Sequence, residues 1–153
     1  RRYWHEVVGY NYRLTNMQAA LGVAQMGKID RIISRKKEIA QEYSKHLGGL
    51  PSLVLPSNMD WADSVYWLYT ILIDDDLPGV CVEKLIQALK QQGIDSRPIF
   101  PPMHKQPIYE TGLALPICES ISRRGISLPS APDIRDDDIA DICDVIKREL
   151  GPL

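Results

Sequence analysis

Residues 16–47 read NMQAALGVAQMGKIDRIISRKKEIAQEYSKHL, and the apolar side chains in this run recur at the spacing of an α-helix. Residues 48–51, GGLP, can end that helix. At 1.5 Å per residue, one helix over the whole run would be on the order of 48 Å long, which is more than one face of a small domain covers. We therefore predict a long helix that bridges two domains or two subunits, with any bend at Gly22 or Gly27 because glycine lowers helix propensity.

Downstream of this helix, the pattern alternates between strands and helices. Residues 65–73 are rich in β-branched and aromatic side chains and are apolar at both odd and even positions, which predicts a central strand buried on both faces. The acidic and proline-containing residues 74–79 would end this strand. The other predicted elements are strands at residues 53–55, 94–100 and 125–128, a helix around Val82, Leu85, Ile86 and Leu89 that is closed by Gly93, and helices at residues 116–124 and 136–150. This order predicts an α+β fold in which helices cover a small mixed or antiparallel sheet.

Composition bounds the class of protein. The chain has 153 residues, of which 44% are hydrophobic and 25% charged, as in folded globular domains. No apolar run approaches the roughly 18 residues that span a bilayer, and the first residues lack the apolar stretch of a signal peptide, so we expect a cytoplasmic location and no membrane partner. The three cysteines, Cys81, Cys118 and Cys143, are odd in number and far apart, which indicates neither a disulfide framework nor a metal site.

The charge is unevenly distributed along the chain. Residues 1–50 carry a net charge of +5 and the remaining residues −7, although the whole chain is at −2. Such asymmetry fits either an anion site or a solvated helix face. Along the predicted helix, the four basic residues Arg31, Arg35, Lys36 and Lys37 are interleaved with Asp30 and Glu38 at helical pair spacing, which is typical of a solvated face and argues against a nucleic-acid partner.

A first candidate anion site lies at residues 9–16, GYNYRLTN, just before the predicted helix. Unpaired backbone N–H groups and the helix dipole favour an anion at such a position. Asn11 and Arg13 could both donate hydrogen bonds to a phosphate. The alternative is that Asn11 forms only a turn and Arg13 a surface ion pair, and spacing alone leaves both open.

A second candidate site combines Arg97, at the end of a predicted strand, with His104 in the proline-interrupted loop that follows at residues 101–111. Arg97 supplies a planar fork suited to phosphate oxygens, and His104 can donate, accept or titrate near neutral pH. The alternative is a rigid surface loop with a solvent-exposed histidine. No glycine-rich phosphate loop, nucleophile elbow or metal-binding motif is present, so the residues alone indicate an anion-binding α+β domain.

Residues 8–25, VGYNYRLTNMQAALGVAQ, closely resemble a signature of the DegT-type sugar aminotransferases, pyridoxal-phosphate enzymes that aminate keto-sugars carried on nucleotides. Residues 66–73 and the loop that holds Arg97 and His104 look most like the perosamine synthase branch, which acts on a 4-keto-6-deoxy sugar. The resemblance covers nearly the whole chain, with further matching segments at residues 66–73, 93–98, 102–109 and 126–129.

The resemblance implies a C-terminal part of a fold type I aminotransferase. Residues 1–50 would be the inter-domain segment with the long helix, and residues 51–153 the small C-terminal domain. The large cofactor domain, with the lysine that forms the Schiff base, would precede Arg1, so no catalytic residue is assigned within this chain. The full-length protein is then expected to be an enzyme of amino-sugar or surface-polysaccharide biosynthesis, and this chain alone is expected to be inactive.

Site roles and partners also follow from the resemblance. It implies that Asn11 reaches across a homodimer to the phosphate of the other subunit's pyridoxal phosphate, with Arg13 nearby, and that Arg97 and His104 border the sugar-nucleotide pocket. The substrate would be a nucleotide-linked keto-sugar and the amino donor glutamate. Excess apolar side chains near the start of the long helix would face the large domain or the second subunit, namely Met17, Leu21 and Ala24.

Two alternatives remain open at this point. A free-standing α+β ligand-binding or assembly module without catalysis could carry the same domain. A related branch of the family uses a similar scaffold for sugar dehydration and replaces the Schiff-base lysine with histidine, at a position outside this sequence.

Overall fold

The computed structural model describes residues 10–74, 81–109 and 112–151. The described part divides into two compact units, one that ends at Ile32 and one that begins at Ile33. Parts of three sequence predictions lie outside the described residues, namely Gly9 in the first candidate anion site, the strand end at residues 75–79 and the last two residues of the loop at residues 110–111.

The first unit contains helix α1, Asn16–Met26, which has no buried residue. Thr15 and Gln18 cap its start reciprocally: the Gln18 N–H donates to Thr15 Oγ1 at 3.2 Å, and the Thr15 N–H donates to Gln18 Oε1 at 2.9 Å. The run predicted as one helix is present as two helices in succession, because α1 ends at Met26 and the next helix begins at Ile29. The interruption falls at Gly27, where the preceding turn tightens as the Lys28 N–H bonds to the Gln25 carbonyl at 2.9 Å.

Helix α2, Ile29–Leu47, carries the apolar stripe that packs into the core of the second unit. Ile39, Tyr43 and Leu47 lie four residues apart on one face and are fully buried. The Tyr43 hydroxyl donates to the Pro129 carbonyl at 2.7 Å, which satisfies the one polar atom of an otherwise apolar side chain. The second half of α2 is therefore part of the core.

Four antiparallel strands form the sheet in the order β1-β2-β4-β3, with β1 at Leu53–Val54, β2 at Tyr69–Ile73, β3 at Arg97–Pro98 and β4 at Gly125–Leu128. This confirms the predicted α+β class and makes the sheet antiparallel. Strand β2 is shorter than predicted, because Tyr66 has a φ of 47° and leaves the extended conformation. It is buried on one face and half-buried on the other, so the prediction of two fully buried faces is wrong. Strand β3 covers only two of the seven predicted residues, at the edge of the sheet where a proline is tolerated.

Three further helices complete the second unit: α3 at Val82–Gln91, α4 at Pro116–Arg124 and α5 at Asp136–Leu150. Helices α3 and α5 pack on each other, and their apolar faces join the second half of α2 in the core. Gly93 follows α3 with a φ of 76°, as expected of a glycine that closes a helix. The predicted ends of α4 and α5 are confirmed, and α4 has no buried residue.

Candidate functional site

The first candidate site residues, Asn11 and Arg13, are joined by hydrogen bonds. Asn11 Oδ1 accepts from the backbone N–H of Arg13 at 3.2 Å and from its Nε–H at 3.1 Å. The turn considered as an alternative is therefore present, but both side chains are exposed. Within the described part of the chain, the Asn11 amide nitrogen and the Arg13 Nη atoms make no hydrogen bond. These nitrogen atoms remain available as donors to an anion.

Two backbone N–H groups at the start of α1, next to Asn11 and Arg13, already donate to acceptors within the protein. The reciprocal cap between Thr15 and Gln18 satisfies the N–H groups of these two residues. The first turn of an α-helix still leaves N–H groups without intrahelical partners. An anion at this place would therefore depend mainly on the side chains of Asn11 and Arg13.

In the second unit, a groove of about 1210 Å³ runs along the β3 edge of the sheet, between the loop before β2, the segment around β3 and one face of α5. Arg97 lies on its wall with 79% of its side chain exposed, and its Nη2 atom is 3.5 Å from Asp95 Oδ2. Trp67 and Phe100 line the same groove, with nearly parallel rings at a centroid separation of 6.5 Å. The groove thus offers an accessible guanidinium beside an aromatic surface.

The α5 wall of the groove is acidic. It carries Asp138, Asp141 and Asp144, and Arg148 is the one basic residue among the α5 side chains that line the groove. Hydrogen bonds from Arg135 hold the pKa of Asp138 below its usual range, so this carboxylate is ionised at neutral pH. A phosphate in the groove would consequently be favoured at the Arg97 side and opposed at the α5 side.

The basic run of α2 is only in part the solvated face expected from its spacing: Arg31 is exposed and Arg35 pairs with Glu38 at 3.3 Å, but Lys36 is bound by other segments. Lys36 Nζ donates to the Trp67 carbonyl at 2.8 Å and to both the carbonyl and the hydroxyl of Ser130. Burial lowers the pKa of Lys36. Arg35 donates to the Ile134 carbonyl at 2.7 Å. These side chains tie α2 to the segments that border the groove, and sequence spacing gave no signal of such long-range contacts.

His104 lies in a short 3₁₀ turn, Met103–Lys105, and only 8% of its side chain is exposed. Its Nε2 atom is 3.0 Å from Glu119 Oε1, in the first turn of α4. The alternative of a solvent-exposed histidine is therefore wrong. The Leu115 N–H donates to the same Glu119 oxygen at 3.1 Å, and Lys105 Nζ lies 3.4 Å from it.

Three donors thus converge on one carboxyl oxygen. The hydrogen bond from His104, then that from the Leu115 N–H, and finally Lys105 lower the pKa of Glu119 to about 2. Glu119 is a residue of this site that the motifs of the sequence do not indicate. Its available signal was an acidic residue three positions after Pro116, in the first turn of a predicted helix, where the dipole favours a carboxylate.

The structure brings Asn11 and Arg13 together but places Arg97 and His104 in different surroundings. Arg97 lines the groove, whereas His104 is absent from its lining and is held against α4. The described residues contain no group of three or more His, Cys, Asp or Glu side chains arranged to hold a metal ion. Among the described helices, none is both long enough and apolar enough to cross a membrane.

Comparisons with known proteins give matches over almost the whole chain. The family model of the DegT/DnrJ/EryC1/StrS aminotransferases matches residues 1–147. GDP-perosamine synthase of Vibrio cholerae is 43% identical over 97% of this chain, and GDP-perosamine synthase of Escherichia coli O157:H7 is 40% identical over 97%. The crystal structure of S. venezuelae DesV in complex with a ketimine intermediate superposes on 100% of this chain with a TM-score of 0.83 and 29% identity.

Each of these matches covers less than half of the related protein. This chain spans 41% and 40% of the two perosamine synthases and 41% of DesV. The family model, by contrast, matches all but the last few residues of this chain, in agreement with the resemblance read from its motifs. The chain belongs to the DegT/DnrJ/EryC1/StrS aminotransferase family.

Proposed function

We propose that this chain is the C-terminal part of a pyridoxal-phosphate-dependent aminotransferase that aminates a nucleotide-linked keto-sugar. The observation that carries the proposal is the 43% identity to GDP-perosamine synthase of Vibrio cholerae over 97% of this chain. In this proposal the substrate is a GDP-linked 4-keto-6-deoxy sugar and the amino donor is glutamate. The product is an amino sugar for surface polysaccharide or another amino-sugar pathway, and the reaction takes place in the cytoplasm.

The donors at residues 11–13 fit the phosphate of the cofactor. Asn11 and Arg13 are exposed, and amide and guanidinium donors near a helix start can bind a doubly charged phosphate. When bound, pyridoxal phosphate supplies the carbonyl that takes up the amino group and the electron sink that eases C–H cleavage. In this proposal Asn11 holds the phosphate of the partner subunit's cofactor and Arg13 supports it.

The remaining roles divide between binding groups and the upstream domain. Arg97 binds the diphosphate of the sugar nucleotide, since its guanidinium is accessible in the groove and matches two phosphate oxygens. His104 borders the sugar. The lysine that holds the cofactor belongs to the large domain that precedes residue 1 in the full-length protein, so this chain contributes binding groups and no nucleophile.

A homodimer is part of the same proposal. Helix α1 presents Met17, Leu21 and Ala24 as exposed side chains, and apolar residues grouped in this way favour contact with another protein surface. The cross-subunit role of Asn11 requires a dimer, whichever surface covers α1. The large domain or the second subunit is therefore expected to cover α1.

The test is an assay of the complete protein with pyridoxal phosphate, glutamate and a GDP-linked 4-keto-6-deoxy sugar. We expect glutamate to be converted to 2-oxoglutarate in step with the appearance of the aminated sugar nucleotide, both followed by mass spectrometry. If the sugar is aminated with another amino donor and not with glutamate, only the proposed identity of the amino donor is wrong, and the proposed amination stands. Absence of amination with every nucleotide-linked keto-sugar offered would refute the proposed function.

A further inference from the structure

Helix α4 holds the loop that carries His104 at two separate points. The Ser122 hydroxyl donates to the Phe100 carbonyl at 3.1 Å, at the start of the loop. Glu119 Oε1 lies 3.0 Å from His104 Nε2, further along it. Neither contact is local in sequence, because 15 and 22 residues separate the partners. The two contacts therefore fix the loop to α4 independently of each other.

The contact to Glu119 also determines which ring nitrogen of His104 carries the proton. Glu119 is ionised at neutral pH, so its oxygen can only accept hydrogen bonds. The Leu115 N–H donates to this same oxygen and Lys105 Nζ lies 3.4 Å from it, which keeps it in place as an acceptor. His104 Nε2 must then be the donor, and in the neutral ring Nδ1 is left as an acceptor.

We propose that Glu119 is a positioning residue for His104 that holds the ring in its Nε2–H form, so that His104 offers the substrate an acceptor at Nδ1. This proposal rests on the proposed function, in which His104 borders the sugar. An acceptor pairs with a hydroxyl group of the sugar and not with the diphosphate, which has no proton to donate at neutral pH. Glu119 thereby makes His104 an acceptor for the substrate, whereas Arg97 can only donate hydrogen bonds to it.

The loop itself contributes to this arrangement by limiting how far His104 can move. Pro102 precedes the 3₁₀ turn and Pro107 follows it, and the Lys105 and Gln106 N–H groups close the turn onto the Pro102 and Met103 carbonyls. The imidazole ring of His104 is nearly buried, and a rotation that exchanges Nδ1 and Nε2 would break its contact with Glu119. The orientation of the ring and its protonated form are therefore set together.

The first test is a ¹H–¹⁵N NMR measurement on the ¹⁵N-histidine-labelled chain at pH 8, with His104 assigned among the three histidines by the variant His104→Gln. We expect the chemical shift of a protonated nitrogen at Nε2 and of an unprotonated nitrogen at Nδ1. Glu119→Ala should return the ring to a mixture of the two forms. Glu119→Gln should preserve the Nε2–H form, because its amide oxygen can still accept from the same donors.

Ser122→Ala is the matched control, since it removes the other contact between α4 and the loop without touching His104. It should leave the protonated form of His104 unchanged. The proposal is overturned if His104 carries its proton on Nδ1 in the unaltered chain, if Glu119→Ala leaves the ring in the Nε2–H form, or if Ser122→Ala changes it as much as Glu119→Ala does.

The second test uses the complete enzyme. Glu119→Ala and His104→Ala should each raise the KM for the keto-sugar about three- to tenfold with little change in kcat, and the double variant should be no worse than His104→Ala alone. If the increases in KM caused by the two single substitutions combine in the double variant, Glu119 does not act through His104 and the positioning role is overturned. If the complete protein aminates no sugar, the proposed function fails, while the NMR result still decides whether Glu119 controls His104.

Discussion

At the scale of single residues, the carboxylate of Glu119 is held by contacts from three other residues. His104 and the Leu115 N–H form hydrogen bonds with one of its oxygens and Lys105 Nζ lies 3.4 Å from it, and together they lower its pKa from 4.5 to about 2. Since the folded state then prefers the ionised form more than the unfolded chain does, the interaction stabilises the fold only where Glu119 is ionised. This gives the contact a definite dependence on pH.

We expect the stability contributed by Glu119 to be complete above about pH 4.5 and to be lost as the pH falls toward 2. The difference in free energy of unfolding between the unaltered chain and Glu119→Gln should narrow over this window in urea titrations. Glu83→Gln, at an exposed position on α3, is the matched control and should show no such narrowing. A difference that stays constant from pH 5 to pH 2 would contradict the interpretation.

The proposed division between cofactor and sugar contacts predicts opposite effects for two alanine variants of the complete protein. Asn11→Ala removes one hydrogen bond to a charged phosphate, worth about 1.5–3 kcal/mol, and should weaken cofactor retention about tenfold to hundredfold in dialysis. His104→Ala should instead raise the KM for the keto-sugar with the cofactor still bound. Full cofactor occupancy in Asn11→Ala, or cofactor loss in His104→Ala, would show that these roles are assigned to the wrong residues.

At the scale of elements, the junction between α4 and β4 leaves no room for a side chain. Gly125 begins β4 directly after α4, pairs with Leu72 and accepts from the Ile99 N–H at 3.1 Å. A Cβ atom at Gly125 would overlap the end of the Ile99 side chain and lie 3.0 Å from the Ile121 carbonyl oxygen. The helix-to-strand transition therefore depends on a glycine for steric reasons and not for its conformational freedom.

Gly125→Ala should lower the free energy of unfolding by about 1–3 kcal/mol, as expected when a packed site receives one extra carbon. The measurement is urea unfolding of the 153-residue chain. Shortening the neighbour in Gly125→Ala/Ile99→Ala should recover part of the loss, so that the double variant is less destabilised than the two single effects combined. Strict additivity would mean that the overlap with Ile99 is not the cause.

The two helices at the start of the described chain differ in what they bury. Helix α1 has no buried residue, with Met17 and Leu21 at 84% and 64% exposure, whereas α2 buries Ile39, Tyr43 and Leu47. An exposed side chain contributes little to the stability of the isolated chain. The apolar residues of α1 are therefore better explained by a contact that forms only in the complete protein.

Leu21→Gln should change the free energy of unfolding of the 153-residue chain by less than about 0.5 kcal/mol, while the buried counterpart Leu47→Ala should cost about 2–5 kcal/mol. In the complete protein, Leu21→Gln should weaken the homodimer, measured by analytical ultracentrifugation. An unchanged dimer together with an unchanged stability of the complete protein would leave α1 no contact with the second subunit or the large domain and would refute its proposed role.

At the scale of the whole molecule, the proposed function makes this chain one part of a larger catalytic unit. It spans about two fifths of the length of the perosamine synthases it matches. Transamination needs a lysine imine, a partner for the pyridinium nitrogen and a phosphate site. In the proposed function only a share of the phosphate site and the sugar contacts come from this chain.

We accordingly expect the 153-residue chain by itself to be inactive. After incubation with pyridoxal phosphate and desalting, it should retain no visible absorbance of lysine-bound cofactor, and it should not convert glutamate and a keto-sugar nucleotide. The complete protein under the same conditions is the positive control. Turnover by the isolated chain, together with a stable cofactor band, would show that one of its own lysines serves as the nucleophile.

Local patterns in the sequence predicted most elements of the fold and two pairs of candidate residues. The periodicity of residues 136–150, with acids at the start and bases at the end, was sufficient for α5, because helix periodicity and dipole complementarity act over one or two turns. The family was also legible in residues 8–25, which form a long unbroken signature. These features depend on neighbours in the chain, and so they can be read from it.

Contacts between distant segments were decided only by the tertiary structure. Strand β2 begins at Tyr69 and not at Val65 because Tyr66 takes a positive φ, and Lys36 is bound to carbonyl groups of Trp67 and Ser130 that no local spacing indicates. The sequence left open whether His104 is exposed on its loop, and only the tertiary structure places Glu119 of α4 beside it. A hydrogen bond between groups 15 or more residues apart depends on where the whole chain folds, and periodicity carries no information about it.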